Sequence, residues 1–293
     1  HRRGLDDLLD HVAKSFPPLE TAEGEPQQPQ QKRIKVAIIG RPNVGKSTLL
    51  NALVGEDRAI VSPIAGTTRD AVDETIERNG IRYTFVDTAG IRRKGKTHEM
   101  AEKLSVVMAR RHIRMANVVL LVIDASEGVV ASDATIAGYA YEDGRAIILA
   151  VNKWDITKEG QKKVFTQHVK DELKFLDFAP IHFISAAKNE GIGPLFSAIA
   201  RVFDAASQRI GTGELNRFVE SLNVDTDVKL RYITQPSIRP PTFVAFKGGR
   251  DKIHFSTERF LINQLRKQFG FEGTPIVIKT KSAKGRDKKA TPR

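Results

Sequence analysis

The chain of 293 residues has no cysteine and no long apolar run. The absence of cysteine excludes disulfide bonds and thiolate metal sites. The longest apolar run, Val118 to Ile123, is far too short to cross a bilayer. No secretory signal is visible in the sequence. We therefore expect a cytoplasmic protein with no membrane partner and no disulfide partner.

Positive charge, in contrast, is abundant. The formal net charge is +12, and 40% of the residues are hydrophobic, which is enough for a sizeable core in about two domains. The segment from Lys279 to Arg293 alone carries seven basic residues and one acidic residue. Such a concentration favours an anionic macromolecular partner such as RNA. A solvated basic tail without a partner is the alternative.

The rest of the chain is organised around a stretch that reads GRPNVGKS. It follows the apolar run IKVAII and precedes LLNALVG, so we predict a strand, a phosphate-binding loop and a helix. Backbone N–H groups at the helix start would point at the α- and β-phosphates of a nucleotide. Lys46 would reach the β/γ oxygens, and the Ser47 hydroxyl would hold Mg²⁺. The predicted nucleotide-binding residues of this stretch are Gly40, Asn43, Val44, Gly45, Lys46, Ser47 and Thr48.

Residues from Ile34 to about Gly211 alternate between strand-like and helix-like segments. An Asn-Gly hairpin signal followed by this alternation predicts an α/β fold, a doubly wound and mostly parallel six-stranded sheet of the P-loop NTPase type. The predicted strands are Ile34–Ile39, Val72–Glu77, Arg82–Val86, Val118–Ile123, Ala146–Val151 and Ile181–Ile184. The predicted helices are Lys46–Val54, His98–Met115, Ser132–Glu142, Gln161–Leu176 and Ile192–Gln208.

A second, smaller domain follows the glycines near residue 211. Its predicted order is αββαβ, an α+β domain that ends in a basic, disordered-looking tail. The predicted elements are Glu214–Leu222, Leu230–Thr234, Phe243–Phe246, Thr257–Phe269 and Pro275–Lys279.

The amino-terminal residues carry a partial repeat. Gly4–Phe16 aligns without a gap to Gly191–Phe203 and matches it at glycine and alanine positions as well as apolar ones. We expect a leftover terminal helix from a second copy of the same domain. Residues 17–33 are rich in Pro, Glu and Gln and are predicted to be a flexible linker.

Three further motifs fall at predicted strand ends. DTAG begins at Asp87, which would hold Mg²⁺, and Gly90 would offer its N–H to a γ-phosphate. In NKWD, the Asp155 carboxylate would accept hydrogen bonds from guanine N1–H and N2–H₂, a donor pair that adenine lacks. Asn152 would brace the loop, and the Lys153 stem would pack along the base. After the sixth strand, backbone N–H groups of Ser185, Ala186 and Ala187 would meet guanine O6.

With these motifs the chain resembles the TRAFAC-class GTPases, within them the Era-like branch, and most closely the Der (EngA) family. The carriers are GRPNVGKS, GTTRD, DTAGIRRKGK, NKWD, SA and FGFEGTP. The resemblance implies two tandem GTPase domains and a KH-like domain, of which this chain would hold the second GTPase domain and the KH-like domain. It also implies GTP hydrolysis coupled to a ribosomal partner, the large subunit or its rRNA. The expected organisation is remnant helix 1–16, linker 17–33, GTPase domain 34–212, KH-like domain 213–281 and basic tail 282–293.

Hydrolysis needs a source of catalytic help, because Ile91 stands where many relatives have a water-positioning glutamine. Our hypothesis is a K⁺ ion that bridges the phosphates, with Asn43 as a side-chain ligand. By resemblance, carbonyls of Ser62 and Ile64 would complete the K⁺ site, and Thr68 would be the Mg²⁺ threonine. The predicted catalytic residues are Lys46, Asn43, Thr68 and Gly90.

Other functional classes stay open on the sequence. A P-loop ATPase or nucleotide kinase is disfavoured by NKWD, and a structural RNA-binding protein by the intact Lys46, Ser47, Asp87 and Asp155. A nucleotide-gated RNA-binding or ribosome-binding module with little turnover is the alternative to a true GTPase. Direct RNA binding by the usual KH route is not expected, because KGGR at 247–250 is not a GxxG loop between helices.

Overall fold

A computed structural model of the chain describes residues 31–56, 73–86, 88, 109–158, 160–222, 230–248 and 255–282. The described residues from Arg33 onward belong to one compact unit. The predicted remnant helix, nearly all of the predicted linker and the predicted tail beyond residue 282 lie outside the described residues. Of the predicted helix His98–Met115, only residues 109–115 are described, and these are helical.

Six strands form the larger sheet, in the order β2-β3-β1-β4-β5-β6. Their bounds are β1 Lys32–Ile39, β2 Glu74–Arg78, β3 Ile81–Phe85, β4 Val118–Asp124, β5 Ala146–Asn152 and β6 Ile181–Phe183. β2 and β3 form the predicted antiparallel hairpin, whereas β1, β4, β5 and β6 pair in parallel. The predicted fold class is therefore confirmed.

Helices cover both faces of this sheet. They are α1 Lys46–Glu56, α2 Ala131–Glu142, α3 Lys162–Glu172 and α4 Ile192–Ser207, besides the helical residues 109–115. α1 and α4 pack on one face, and residues 109–115, α2 and α3 pack on the other. Every residue of β4 and β5 is buried, as continuous apolar runs between two helical layers require.

One predicted helix ends earlier than expected. The prediction extended it from Gln161 to Leu176, but α3 ends at Glu172 and a short 3₁₀ turn follows at Lys174–Leu176. Leu173 leaves the helical region with φ −113° and ψ 47°, and the Leu176 N–H donates to the Leu173 carbonyl at 2.8 Å. The tighter turn directs the Leu176 side chain into the core, where only 2% of the residue is exposed.

A second sheet of three strands forms the smaller domain. Its elements are α5 Thr212–Ser221, β7 Leu230–Ser237, β8 Thr242–Lys247, α6 Phe255–Phe269 and β9 Val277–Ser282. β8 lies between antiparallel β7 and parallel β9, and the two helices share one apolar core with the sheet. The order αββαβ is as predicted. β7 runs past its predicted end at Thr234 because an edge strand tolerates Pro236.

The loop after α6 attaches the smaller domain to the larger sheet. The Ile147 N–H donates to the Gly273 carbonyl at 2.6 Å, and the Gly273 N–H donates to the Phe178 carbonyl at 2.9 Å. The Arg266 guanidinium lies 4.3 Å from the centre of the Phe178 ring. Because Ile147 is near the start of β5, this contact is at the amino ends of the parallel strands. The loops that the sequence predicts to bind a nucleotide lie at the opposite, carboxyl ends.

Candidate nucleotide-binding site

The predicted site residues that the structure describes lie at the carboxyl ends of the parallel strands. The loop 40–45 follows β1, the segment 153–155 follows β5, and the segment 185–187 follows β6. In a doubly wound sheet, ligands bind at this edge. Three of the four motifs are thus neighbouring loops at one edge, and the fourth, DTAG, lies outside the described residues except for Thr88.

The phosphate-binding loop has a backbone that needs glycine at two positions. Gly40 has φ +145° and Gly45 has φ +95°. A Cβ atom at Gly40 would lie 2.6 Å from the Val122 carbonyl oxygen, and one at Gly45 would overlap the amide nitrogen of Asn152. The loop therefore packs closely against the ends of β4 and β5, and α1 starts directly after it at Lys46. A helix start presented in this way fits an anion such as a phosphate.

Lys46 is folded over its own loop. Its ammonium donates to the Arg41 carbonyl at 2.6 Å. Burial lowers the pKa of Lys46 to about 8, although the negative charge of Asp133 acts in the opposite direction. Val44 is buried beside it, whereas Asn43, Ser47 and Thr48 are exposed at the mouth of the loop. A bound phosphate would give this desolvated ammonium a charged partner in place of a neutral carbonyl.

Asn152 connects the phosphate-binding loop with the loop after β6. Its side-chain N–H donates to the Val44 carbonyl at 2.9 Å, and its side-chain oxygen accepts from the Ala186 N–H at 3.0 Å. The side chain is buried, with 3% of the residue exposed. Since both amide functions are used, Asn152 fixes the distance between the two loops.

Asp155 lies half-buried at the rim of the same cleft. A hydrogen bond from Ser185 and the positive charge of Lys188 keep the pKa of the Asp155 carboxyl below its ordinary value. The Lys188 ammonium is 3.8 Å from it, and the Lys188 N–H donates to the Ser185 hydroxyl at 3.2 Å. An ionised carboxylate at this point accepts two hydrogen bonds, as recognition of the guanine N1–H and N2–H₂ pair requires.

Trp154 supports the segment that carries Asp155. Its N–H donates to the Ile184 carbonyl at 3.1 Å, which ties the segment after β5 to the end of β6. Its ring packs on Phe183 with a centroid distance of 4.3 Å and on Phe165 at 5.6 Å. This aromatic cluster holds the 3₁₀ turn Trp154–Ile156 against α3.

Sequence reasoning missed an acidic segment that runs from the end of β4 to the first turn of α2 and carries Asp124, Glu127 and Asp133. Asp124, the last residue of β4, pairs with the ammonium of Lys153 at 2.5 Å. Burial alone would raise the pKa of Asp124, but hydrogen bonds from Lys153 and Ser126 bring it below its ordinary value. A signal was present in the sequence, because Asp124 directly follows the apolar run 118–123 and so had to lie at the carboxyl edge.

The same segment also contacts the phosphate-binding loop. The Arg41 guanidinium pairs with Glu127 and lies 3.4 Å from the carboxylate of Asp133. Asp133 is fully buried, and burial raises the pKa of its carboxyl despite the opposing hydrogen bond from the Val130 N–H and the charge of Arg41. The loop at 40–45 is therefore held by ion pairs on one side and by Asn152 on the other.

The remaining predicted site residues are not among the described ones, so their roles stay predictions. In the described part of the chain, no three His, Asp or Glu side chains are grouped so as to hold a metal ion. None of the described helices combines the length and the hydropathy that crossing a bilayer requires. The predicted site residues outside the described part of the chain are Ser62, Ile64, Thr68, Asp87 and Gly90, and Ile91 also lies outside it.

Two known families match this sequence. Residues 35–153 match the family described as "50S ribosome-binding GTPase". Residues 209–281 match the family described as "KH-domain-like of EngA bacterial GTPase enzymes, C-terminal". The first match contains the loop at 40–45 and ends at Lys153, and the second covers the three-stranded domain.

The chain is similar to known proteins over nearly all of its length. It is 46% identical over 288 residues to GTPase Der of Geobacillus thermodenitrificans, covering 95% of this chain and 65% of the relative. GTPase Der of Staphylococcus carnosus is 45% identical with the same coverage. The chain thus spans slightly less than two thirds of the length of these relatives. A crystal structure of Era in complex with MgGDPNP and nucleotides 1506–1542 of 16S ribosomal RNA is 25% identical, with a TM-score of 0.45 over 86% of this chain and 94% of that one.

Proposed function

We propose that the chain, which is 46% and 45% identical to two Der GTPases, is a GTPase of the Der (EngA) family that binds GTP and GDP and hydrolyses GTP at the carboxyl edge of the six-stranded sheet. The observation that carries the proposal is the double hydrogen bonding of Asn152 to Val44 and Ala186. Through this side chain, the loop suited to phosphate and the loops suited to guanine are held in one cleft. Lys46 would then supply a positive charge for the phosphates, and Asp155 would supply a negatively charged hydrogen-bond acceptor for guanine.

The chain's own groups account for binding and charge stabilisation. The N–H groups at the start of α1 would receive the phosphates, and the Lys46 ammonium would exchange the Arg41 carbonyl for phosphate oxygens. As charge develops on these oxygens during hydrolysis, a preorganised cation in a desolvated place stabilises it more than water does. Ile91 can neither donate nor accept a hydrogen bond through its side chain, so that side chain does not orient the attacking water.

Two ions complete the proposed chemistry. Mg²⁺ would neutralise charge on the β- and γ-phosphate oxygens, and Ser47 in the first turn of α1 would hold it together with Thr68 and Asp87. K⁺ would add the positive charge that an arginine supplies in other GTPases, with Asn43 as its side-chain ligand. Asn43 is exposed, so a ligand can reach its side chain from solvent. Ser62 and Ile64 are the proposed carbonyl ligands.

Nucleotide specificity tests the central proposal. Labelled GDP bound to the protein should be displaced by GTP, but not by ADP or ATP at about a hundredfold excess, because adenine lacks the donor pair for Asp155. Asp155→Asn should weaken GDP binding and favour xanthosine diphosphate, whose C2 carbonyl can accept from the new amide. Asp143→Asn, which alters a partly exposed carboxylate paired with Arg114 at 3.4 Å, is the matched control. Displacement by ATP and GTP at similar concentrations would contradict guanine recognition.

The monovalent ion is tested separately. GTP turnover measured in KCl and in NaCl at equal ionic strength should be faster in KCl, and Asn43→Ala should remove the difference. Equal rates in the two salts would eliminate K⁺ from the mechanism and leave GTP binding untouched.

The biological output proposed for this GTPase is a nucleotide-controlled contact with the ribosomal large subunit or its rRNA in the cytoplasm. The family description of residues 35–153 and the net charge of +12 support it. The protein should sediment with large-subunit particles in K⁺ buffer with a non-hydrolysable GTP analogue and much less with GDP. Nucleotide-dependent sedimentation without measurable turnover would favour a binding module over a hydrolase, and no dependence on nucleotide would contradict the switch.

A further inference from the structure

Lys153 and Asp124 form an ion pair next to the proposed nucleotide site. The binding of phosphate and guanine proposed above does not use this pair. Lys153 follows β5 directly and has φ +62°, in the left-handed region that residues with side chains rarely adopt. Its ammonium lies 2.5 Å from Asp124, whose side chain is 2% exposed, whereas the Lys153 side chain is 37% exposed. The pair thus joins a buried anion to a partly exposed lysine side chain in the segment that follows β5.

We propose that Asp124 is a positioning residue for guanine binding: by holding the Lys153 ammonium, it stretches the lysine stem into the surface on which the base rests. This inference rests on the proposed binding of guanine nucleotides. It adds a residue of β4, outside the recognised motifs, to the determinants of nucleotide affinity.

Asp124 is itself held rigidly enough to serve as an anchor. One carboxylate oxygen accepts from the Ser126 N–H at 2.9 Å and from the Ser126 hydroxyl at 2.6 Å, which leaves the other oxygen directed at Lys153. In the parallel register, Asp124 lies opposite Asn152, and the Ala125 N–H donates to the Asn152 carbonyl at 2.9 Å. The anchor is therefore tied by backbone bonds to the residue that precedes Lys153.

Preorganisation is the physical reason for an effect on affinity. A lysine side chain has four rotatable bonds, and a free one loses most of its rotamer freedom when a ligand packs along its stem. With the ammonium held by Asp124, much of that entropy is lost during folding and not during binding. A base that rests on the stem then meets an apolar surface already in place.

A double-mutant cycle tests the inference. Asp124→Asn keeps the shape of the side chain and an acceptor for Ser126 but removes the charge that holds Lys153. We expect GDP affinity to fall about tenfold, or about 1.4 kcal/mol. In the background of Lys153→Met, which has no ammonium, the same change should leave GDP affinity nearly unaltered. Asp143→Asn, at a partly exposed ion pair of the same domain, should leave both GDP affinity and the melting temperature unchanged.

Each outcome decides between the possibilities. If the wild-type protein does not bind GDP, the proposed function fails and this inference with it. If the wild-type protein binds GDP and Asp124→Asn binds it equally well, only the inference is overturned. Equal tenfold losses with and without the Lys153 ammonium would also overturn it, because they would assign Asp124 a structural role independent of Lys153. Should Asp124→Asn not fold, Asp124→Ser, which also removes the charge and has a smaller side chain, should give the same loss and the same coupling.

Discussion

Gly273 is a residue at which one added methyl group should disturb the attachment of the smaller domain. Its φ is +71°, and a Cβ atom there would lie 2.6 Å from both methyl carbons of Val202 and 3.2 Å from the Ile147 carbonyl oxygen. Its own N–H and carbonyl bond to Phe178 and Ile147 across the junction. Gly273→Ala therefore strains the backbone and separates the two surfaces at the same time.

The expected cost has two parts that a matched variant separates. A side chain in the left-handed region costs about 1–2 kcal/mol, and forcing a methyl group into a packed contact adds about 1–3 kcal/mol. Gly270 has φ +87°, but a Cβ atom added there would meet no heavy atom of the described residues within 4 Å. Gly270→Ala should thus lower the free energy of unfolding only by the first part, and Gly273→Ala by both, about 2–5 kcal/mol.

Urea unfolding and amide exchange provide the measurements. The single tryptophan, Trp154, reports on the larger domain by fluorescence, while circular dichroism reports on the whole chain. Exchange of the Ile147 N–H should accelerate in Gly273→Ala and stay slow in Gly270→Ala, because only the former disturbs its bond to the Gly273 carbonyl. Equal destabilisation in the two variants, with unchanged protection at Ile147, would refute the reasoning that the methyl group meets Val202.

Three further predictions concern buried polar groups. Asn152→Ala should lower the free energy of unfolding by about 1–3 kcal/mol in urea titrations, because the Val44 carbonyl loses its buried partner; an unchanged value would contradict the brace. The pKa of Lys46 is about 8 when folded against 10.5 ordinarily, so the unfolded state binds more protons between these values and unfolding free energy should rise with pH across that window, by roughly 3 kcal/mol. Lys46→Met should abolish this dependence on pH. If the dependence persists in the variant, titrating groups other than Lys46 cause it. Arg266→Met should destabilise by about 2–4 kcal/mol, because two carbonyls at the domain junction lose a charged donor, whereas Lys267→Met at an exposed position should be nearly neutral.

The elements of the fold could be read from local patterns to a large extent. The apolar run from Val118 predicted β4 to within one residue of its end, and the Asn-Gly pair predicted the turn between β2 and β3. These patterns work because burial on both faces of a parallel strand demands an uninterrupted apolar run, and a two-residue turn demands positive φ. Predictions were less accurate where tertiary contacts dominate, as at the early end of α3 and the extension of β7 past Pro236.

For the site, the sequence by itself determined which chemical groups are present and at which strand ends they occur: a phosphate-binding loop after β1, NKWD after β5 and Ser-Ala after β6. Tertiary structure alone decided how these groups are held. The bond of Asn152 to Val44 spans 108 positions, and the pairing of Lys153 with Asp124 spans 29. No local propensity encodes such contacts, because they arise only when parallel strands bring distant carboxyl ends to one edge of a sheet.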